Sequence, residues 1–247
     1  MLLNNAEKDK WTAYAQGLFD RYYTAERISQ AGEDIEKRYE MTVEYGRGGI
    51  LMYRGYHCRS MIHDLYVSNL KRGSLLKKAP RKVPDYAYYY KDDILTLASR
   101  YPNQENEVIE HIQWNGNVES SILVTPKLEK AKWPKVCVAT LNEDGVLKKN
   151  IMGTFFMDMD CKQKVAMFDL YMEQYIYEKR LIESRLIWLS SRNIVAGMEN
   201  VEFRYTYDEN EEPKGYFLDN HTGYCTGTEY PLPEHIKAMM NQKIKHP

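Results

Sequence analysis

The chain has 247 residues and a formal net charge of −1, because 34 Lys and Arg side chains are set against 35 Asp and Glu. This balance excludes a global field that would commit the molecule to nucleic acid or to an anionic membrane, so local patches must carry any such role. No apolar run approaches the roughly 18 residues that a membrane-spanning helix needs. We therefore expect a cytoplasmic protein with no membrane partner.

The 4 cysteines give no sign of a disulfide framework. Cys58, Cys137, Cys161 and Cys225 show no C-x-x-C spacing, and a chain of this length buries a core without cross-links. We expect free thiols in a reducing compartment and a single domain over residues 1–247. No cofactor and no metal are expected.

Residues 1–45 are predicted to form a helical N-terminal segment. Aromatic and aliphatic side chains from Trp11 to Tyr23 recur at spacings of three and four, which is typical of a helix with one face docked on a sheet. Gly32 divides the segment, so a second helix from about residue 33 fits the pattern as well as one long helix does.

Residues 49–157 are predicted to form an antiparallel β-meander. Residues 50–59 and 61–69 would open it as two strands, with Gly55 marking a bulge or a close backbone approach. Between Tyr86 and Met157 the sequence then reads as consecutive short strands joined by turns.

The dipeptide Asn115-Gly116 is typical of a two-residue hairpin tip, since both central positions of a type I′ turn need positive φ. The predicted register pairs Trp114 with Asn117. It also sets Ile109 opposite Ile122, so that apolar residues face one another across the strands.

The dipeptide Asp144-Gly145 predicts a second two-residue hairpin by the same reasoning. It would pair Glu143 with Val146. Its register sets Val138 opposite Ile151, which is again an apolar pair.

Residues 160–193 allow two interpretations. Apolar and aromatic residues from Phe168 to Leu189 keep helical spacings of three and four, although their Tyr and Ile content also suits strands. We predict a helix over residues 160–193 and keep strand as the alternative for residues 163–190.

The C-terminal part is predicted to form a hairpin over residues 201–219, because apolar and polar residues alternate over residues 201–207 and a return strand at residues 215–219 follows an acidic tip at residues 208–212. The tail, residues 231–247, offers one short helix that begins near Pro233. The expected fold is therefore of the α+β class, with N-terminal helices packed on a twisted antiparallel β-meander, one later helix and a C-terminal hairpin.

A run of basic residues without an acid lies ahead of a tyrosine-rich strand that includes Tyr88 and Tyr90. Its cations are Lys71, Arg72, Lys77, Lys78, Arg81 and Lys82. Basic residues beside aromatic residues suit a phosphate-and-base surface, so nucleic-acid binding through residues 71–90 is one interpretation. The other interpretation is a solvated loop that steers a protein partner, with Asp208, Glu209, Glu211 and Glu212 as a second patch of opposite charge.

The common catalytic signatures are absent from the sequence, including the P-loop, G-x-G-x-x-G, G-x-S-x-G and H-E-x-x-H. His57, Cys58, His63 and Asp64 are of metal-ligand type, but no second cluster has the spacing that would complete a zinc site. His221 and Cys225 could form a thiol and base pair, for which no orienting residue can be identified. We therefore expect no catalytic residue.

One enzyme family shares an order of residues with this chain. Tyr53-Arg54-Gly55, Ser190-Ser191 and Glu209-x-Glu211 are similar in order to the arginine, serine and glutamate motifs of NAD-dependent ADP-ribosyltransferases. The resemblance implies that Arg54 anchors a phosphate of NAD, that Ser190 supports the site and that Glu211 is the catalytic carboxylate. This is the alternative to the interpretation that follows.

The preferred interpretation is a non-enzymatic binding protein. The chain contains 21 tyrosines and 12 methionines, residue types that suit adaptable partner surfaces. A tyrosine-rich meander with Asn-Gly and Asp-Gly turns and no catalytic motif resembles, in general character, the bacterial immunity proteins that block toxin domains. The resemblance implies an inhibitor whose partner is another protein, and it leaves the oligomeric state open.

Overall fold

In the described part of the chain, one antiparallel sheet of 13 strands dominates the fold. The computed structural model describes residues 4–49, 54–62, 65, 72–125, 134–141, 143–158, 160–161, 163–191, 197–220 and 227–240. The helices of these residues are α1 (Asn5–Tyr22), α2 (Ala25–Glu36) and α3 (Glu234–Met240). The strands are β1 (Thr42–Arg47), β2 (Ser74–Leu75), β3 (Tyr86–Lys91), β4 (Ile94–Arg100), β5 (Val108–Asn115), β6 (Val118–Val124), β7 (Lys135–Leu141), β8 (Leu147–Met157), β9 (Val165–Tyr177), β10 (Leu181–Ser190), β11 (Gly197–Tyr207), β12 (Pro213–Asn220) and β13 (Glu229–Pro231).

From β3 to β13 the strands lie side by side in the order of the sequence, and β1 and β2 complete the other edge next to β3. The meander predicted between Tyr86 and Met157 is confirmed, and it continues as far as Pro231. The α+β class is confirmed in broad terms, although the sheet is more dominant than the sequence indicated. Among the helices of the described residues, none is both long and apolar enough to cross a membrane.

The helical segment differs from the prediction in two places, namely at the break between its two helices and at its C-terminal end. The helices are separated at Thr24, whose hydroxyl accepts a hydrogen bond from the Arg27 backbone N–H at 3.1 Å, and Gly32 lies inside α2. The division at Gly32 was therefore wrong, because a capping threonine outweighs a glycine as a signal for a helix start. Residues 42–45 belong to β1, where pairing with β3 replaces the predicted helix.

Helices α1 and α2 cover one face of the sheet, which we call the helix face. The Phe19 ring packs edge-on against Phe155 with ring centroids 5.8 Å apart, and the Tyr23 hydroxyl donates to the Leu123 carbonyl at 3.0 Å. The Arg27 guanidinium donates to the Ser120 carbonyl at 2.8 Å. The aromatic face of the N-terminal segment therefore docks on the sheet, as its spacing predicted.

Residues 54–62 and α3 pack on the other side of the sheet, which we call the back face. Ile62 and Ile236 are fully buried there against strand residues such as Phe203. The sheet thus lies between two apolar layers. Strands in its centre are buried on both sides.

This double burial explains why the predicted helix over residues 160–193 was wrong. The segment forms β9 and β10, which pair as a hairpin. Phe168 and Leu170 pack into the core of the helix face, whereas Tyr171 and Tyr175 belong to that of the back face. A strand with apolar residues on both faces loses its simple alternation, so its spacings can imitate those of a helix.

The first hairpin has a different register from the predicted one. Asn115 pairs with Val118, and Ile109 pairs with Val124. The central residues of the tip are Gly116 and Asn117, and Gly116 has a φ of 54°. A glycine at the first central position is typical of a type II′ turn. Because the shift is two residues, each side chain keeps its predicted face.

The second hairpin confirms the predicted pairing of Val138 with Ile151. Its tip was wrong, however, because the ladder shifts after Thr140 and ends with Leu141 opposite Leu147. The connection between β7 and β8 is therefore longer than two residues. The third hairpin over residues 201–219 is confirmed as β11 and β12.

The predicted strand over residues 50–59 was wrong where the structure describes it, because Gly55–His57 is a 3₁₀ turn. Gly55 has a φ of 52°, and a Cβ at this position would lie 2.8 Å from the Tyr86 ring. The close backbone approach predicted for Gly55 is thus confirmed. Residues 50–53, and most of the second predicted strand at 61–69, lie outside the described residues.

The short C-terminal helix is confirmed as α3, which begins directly after Pro233. Ile236 anchors it in the core of the back face. The end of the tail, residues 241–247, lies outside the described residues.

Candidate functional site

A groove on the helix face lies at the edge of the sheet that carries β1. One wall is the loop of residues 79–84, the other contains Arg38, Tyr39 and Met41, and its floor carries Val43, Tyr45 and Tyr89, with Pro102 and Asn103 also in the lining. Its volume is about 580 Å³. We call it the basic groove.

Four predicted binding residues form an exposed cationic surface on this loop and on the two residues that precede it. Lys77, Lys78, Arg81 and Lys82 are all exposed, and we call them the groove cations. Arg81 and Lys82 line the basic groove itself. From Leu75 to Pro84 the sequence contains no acid, so the loop carries a concentrated positive charge.

Arg72 is not part of this surface. Arg72 is buried and donates to the backbone carbonyls of Tyr56 at 3.2 Å, of Cys58 and of Ser60. The Arg72 side chain therefore stabilises the position of residues 56–60 on the back face of the sheet. Lys71 lies outside the described residues.

The tyrosines predicted to bind beside the loop lie on the opposite face. The Tyr88 hydroxyl donates to the Arg54 carbonyl at 3.0 Å, and the Tyr90 hydroxyl donates to the Glu44 carboxylate. Alternate residues of a strand point to opposite faces, so only Tyr89 between them reaches the basic groove. Burial raises the pKa of Tyr89 to about 12, which keeps its hydroxyl protonated.

The basic groove combines these cations with exposed apolar surface. Val83 is 62% exposed and Tyr39 is 75% exposed. Arg38 is fixed by Glu107 at 3.1 Å and by Asn103 at 2.9 Å, and its guanidinium lies over the Tyr39 ring at 5.2 Å. Aromatic residues and arginine are the residue types enriched in protein interfaces. The sequence did not indicate Arg38 or Tyr39, because both lie within residues 1–45, which were predicted to be helical.

The acidic tip is partly committed to its own turn. The Asp208 carboxylate accepts hydrogen bonds from the backbone N–H groups of Asn210 at 2.8 Å and Glu212 at 3.0 Å. Glu211 has a φ of 65° and lies 3.7 Å from the Arg180 guanidinium. Glu209 and Glu212 are exposed. The tip therefore presents less free negative charge than its sequence suggests.

The structure does not bring together the residues of the transferase interpretation. Ser190 lies opposite Gly197 at one end of the β10–β11 pair and donates to Asp169 at 2.6 Å. Glu211 lies beyond the other end of β11, about 40 Å away at roughly 3.3 Å per residue. Arg54 is buried on the back face and is 3% exposed. The arginine is thus not accessible to a phosphate of NAD.

Arg54 instead lies in an ionic network that the sequence did not reveal. It donates to Glu110 at 2.9 Å and to Glu119, and Arg59 also donates to Glu119 at 2.9 Å. Burial opposes ionisation of Glu119, but the charges of Arg54 and Arg59 outweigh it and lower the pKa to about 2. No spacing signal marks residues that are more than 50 positions apart in the sequence.

A third buried carboxylate, Glu173, has a separate set of hydrogen-bond donors on the back face. It accepts hydrogen bonds from Ser60, from Asn150 at 2.9 Å and from Tyr175 at 2.7 Å, and burial raises its pKa. The cavity between Arg54 and Asn150 has a volume of only about 10 Å³. A space of this size holds at most a single water, so the network joins strands and does not accommodate a substrate.

His57 and Cys58 line a cavity of about 120 Å³ on the back face, beside His235 of α3. Burial and the charges of Arg59, Arg54 and Arg72 lower the pKa of His57 to about 3. Its Nε2 atom lies 3.0 Å from the Tyr90 hydroxyl. The imidazole is therefore neutral at physiological pH.

Within the described part of the chain, no group of three or more His, Cys, Asp or Glu side chains could hold a metal ion. Cys58, Cys137 and Cys161 are free thiols. The other candidates for such chemistry, His63, Asp64, His221 and Cys225, lie outside the described residues.

Comparisons with known proteins do not assign this site. Neither a protein-family model, a curated protein nor a solved structure matches the chain. The geometry and charge of the basic groove are therefore the basis on which a function can be proposed.

Proposed function

We propose that this protein binds another protein through the basic groove and inhibits it without catalysing a reaction, as immunity proteins inhibit toxins. The observation that carries the proposal is the combination of four exposed cations with exposed apolar residues around one groove of about 580 Å³. Such a surface attracts an acidic partner over a distance and then offers it apolar contacts. The proposed location is the cytoplasm, in keeping with the free thiols of the described cysteines.

Nucleic-acid binding is the weaker candidate. Proteins that bind single strands stack bases on accessible aromatic rings. Tyr88 is fully buried on the back face, and the Arg38 guanidinium already covers one face of the Tyr39 ring. The groove cations thus lack the aromatic platform that was expected from Tyr88 and Tyr90, which follow them in the sequence.

The first experiment identifies partners by their dependence on the groove cations. Wild-type protein and a variant with all four groove cations changed to Gln are used to capture proteins from a lysate of the source cells. A matched control removes the same number of exposed charges elsewhere, at Lys148, Lys149, Lys164 and Lys179. We expect a protein that wild type and control both retain and that the groove variant loses.

The second experiment measures kinetics and inhibition with the purified partner. Charge reversal at the groove cations should slow association by about tenfold or more at low salt and change dissociation little, because these charges steer the encounter. Wild type should also suppress the activity of the partner. Tight, salt-sensitive binding to a random oligonucleotide pool that the Gln variant loses would instead identify nucleic acid as the ligand.

A further inference from the structure

Among the described residues, strand β1 has no neighbouring strand along half of its outer edge. On its inner side it pairs with β3 from Thr42 to Gly46. On its outer side, β2 pairs only with Gly46 and Arg47. One further hydrogen bond joins the Leu76 N–H to the Tyr45 carbonyl at 2.8 Å. Among the described residues, no strand lies beyond this point.

The hydrogen bond at Tyr45 shows which backbone groups face outward. The N–H and C=O groups of one residue point to the same side of a strand, and successive residues alternate. Because the Tyr45 carbonyl faces β2, the N–H and C=O groups of Val43 face the same open side. No strand of the described residues pairs with Val43 from that side. Val43 therefore presents a donor and an acceptor that an added strand can use.

This open edge borders the basic groove. The side chains of Val43 and Tyr45 line the groove, so a strand added beside them would direct every second side chain towards it. Val83 and Pro80 on the loop would contact an apolar side chain there. Arg81 and Lys82 lie on the same wall and would contact acidic side chains.

We propose that an extended acidic segment of the partner adds to the outer edge of β1 as a further strand, in line with β2. Main-chain hydrogen bonds to Val43 fix the segment, apolar residues enter the basic groove, and acidic residues contact the groove cations. An acidic occupant is the complement of a loop that has no acid between Leu75 and Pro84. The inference rests on the proposed function and specifies how the partner binds.

The test uses a synthetic peptide about ten residues long in which every second residue is Val or Glu in turn and the residues between them are Thr, so that a bound strand directs both apolar and acidic side chains towards the groove. Its binding is measured by fluorescence anisotropy to wild type, to Val43→Pro and to Val43→Thr. Proline removes only the outward N–H of Val43 and leaves the bonds to β3 in place, whereas threonine keeps that N–H. We expect Val43→Pro to weaken binding by about tenfold and Val43→Thr to retain it.

Backbone methylation of the peptide provides a second measurement that does not depend on the fold of a variant. Two peptides are N-methylated at alternate positions, one set on odd residues and the other on even residues. Strand addition requires that one set abolishes binding and that the other leaves it intact.

Equal binding of both methylated peptides, or no effect of Val43→Pro in a folded variant, would overturn strand addition. So would the failure of wild type to bind the unmodified peptide. If the groove variant still loses its captured partner in these cases, the proposed function remains while its strand-addition mode is rejected. If that partner is retained as well, both fail.

Discussion

At the scale of single residues, Gly116 shows how a backbone conformation alone can contribute to stability. Its φ is 54°, and a Cβ at this position would meet no heavy atom within 4 Å. We predict that Gly116→Val destabilises the protein by about 1–2 kcal/mol, because a β-branched residue is strained at positive φ. Urea unfolding of the variant measures this difference.

The control for this prediction is Gly17→Ala in α1. Its added Cβ also meets no atom within 4 Å, but the backbone there is helical. Alanine should therefore stabilise the protein by up to about 1 kcal/mol. Stabilisation by both substitutions would contradict the left-handed conformation of the Gly116 turn.

Arg54 is the residue whose loss should cost most. Its side chain and those of Glu110 and Glu119 are each no more than 4% exposed. We predict that Arg54→Ala lowers the free energy of unfolding by about 3–5 kcal/mol, because the buried Glu110 would lose its ion-pair partner and the buried Glu119 would keep only Arg59. Denaturant titration tests this, with Arg180→Ala in the exposed Glu211 pair as a control that costs less than about 1 kcal/mol.

This expected loss also determines how the transferase interpretation can be tested. An Arg54 variant that unfolds cannot separate catalysis from stability. Titration of the wild-type protein with NAD, followed by a search for slow hydrolysis, is the cleaner experiment. We expect neither binding nor turnover, and detectable turnover would contradict a purely binding role.

At the scale of elements, the start of α2 depends on one hydroxyl. Thr24 accepts the Arg27 N–H at 3.1 Å, while Arg27 in turn contacts Ser120 of β6. We predict that Thr24→Ala destabilises the protein by about 1 kcal/mol and that Thr24→Ser retains most of the stability. If the two variants unfold at the same urea concentration, the cap does not contribute as proposed.

Which elements could be predicted depended on how many faces of each strand are buried. The hairpin over residues 201–219 could be predicted because apolar and polar residues alternate along its first strand, residues 201–207. Residues 165–190 were predicted to be a helix because apolar residues such as Phe168 and Tyr171 pack on opposite faces of the sheet, so that the strand pattern does not alternate. Turn residues located the first hairpin, but its register also depends on which two residues occupy the tip, and the Asn-Gly pair alone did not decide this.

Only those parts of the candidate site that are formed by residues close together in the sequence could be predicted. The groove cations follow from a run of charges within one loop. Tyr88 and Tyr89 could not be assigned to faces, because the phase of β3 depends on its pairing with β1. The contact between Arg54 and Glu110 joins residues 56 positions apart and leaves no periodic signal.

At the scale of the whole molecule, buried ionisable groups make stability depend on pH. The pKa of His57 is about 3 in the folded protein, below the ordinary value of 6.5, so between these values the unfolded chain binds more protons. Stability should therefore fall as the pH drops from about 6.5, by roughly 1.4 kcal/mol per pH unit for this group. His111, whose pKa is also lowered by burial, adds to the same slope.

The pH profiles of two variants separate the contributions. His57→Asn should flatten the decline between about pH 6.5 and pH 4.5. Glu119, with a pKa of about 2 against an ordinary 4.5, loses its contribution only below that range. Glu119→Gln should therefore change the profile below about pH 4.5. An unchanged decline in the His57 variant would contradict the buried neutral imidazole.

The nearly sequential order of the 13 strands has a consequence for how the chain is made. From β3 onward each strand pairs with the one just synthesised, so every addition closes a short loop and has a low entropic cost. Only β1 must wait, because its partner β3 emerges about 40 residues later and the edge of β1 stays open meanwhile. On the ribosome the sheet can therefore extend strand by strand towards β13. The N-terminal helices are synthesised earlier and are already available to cover its helix face.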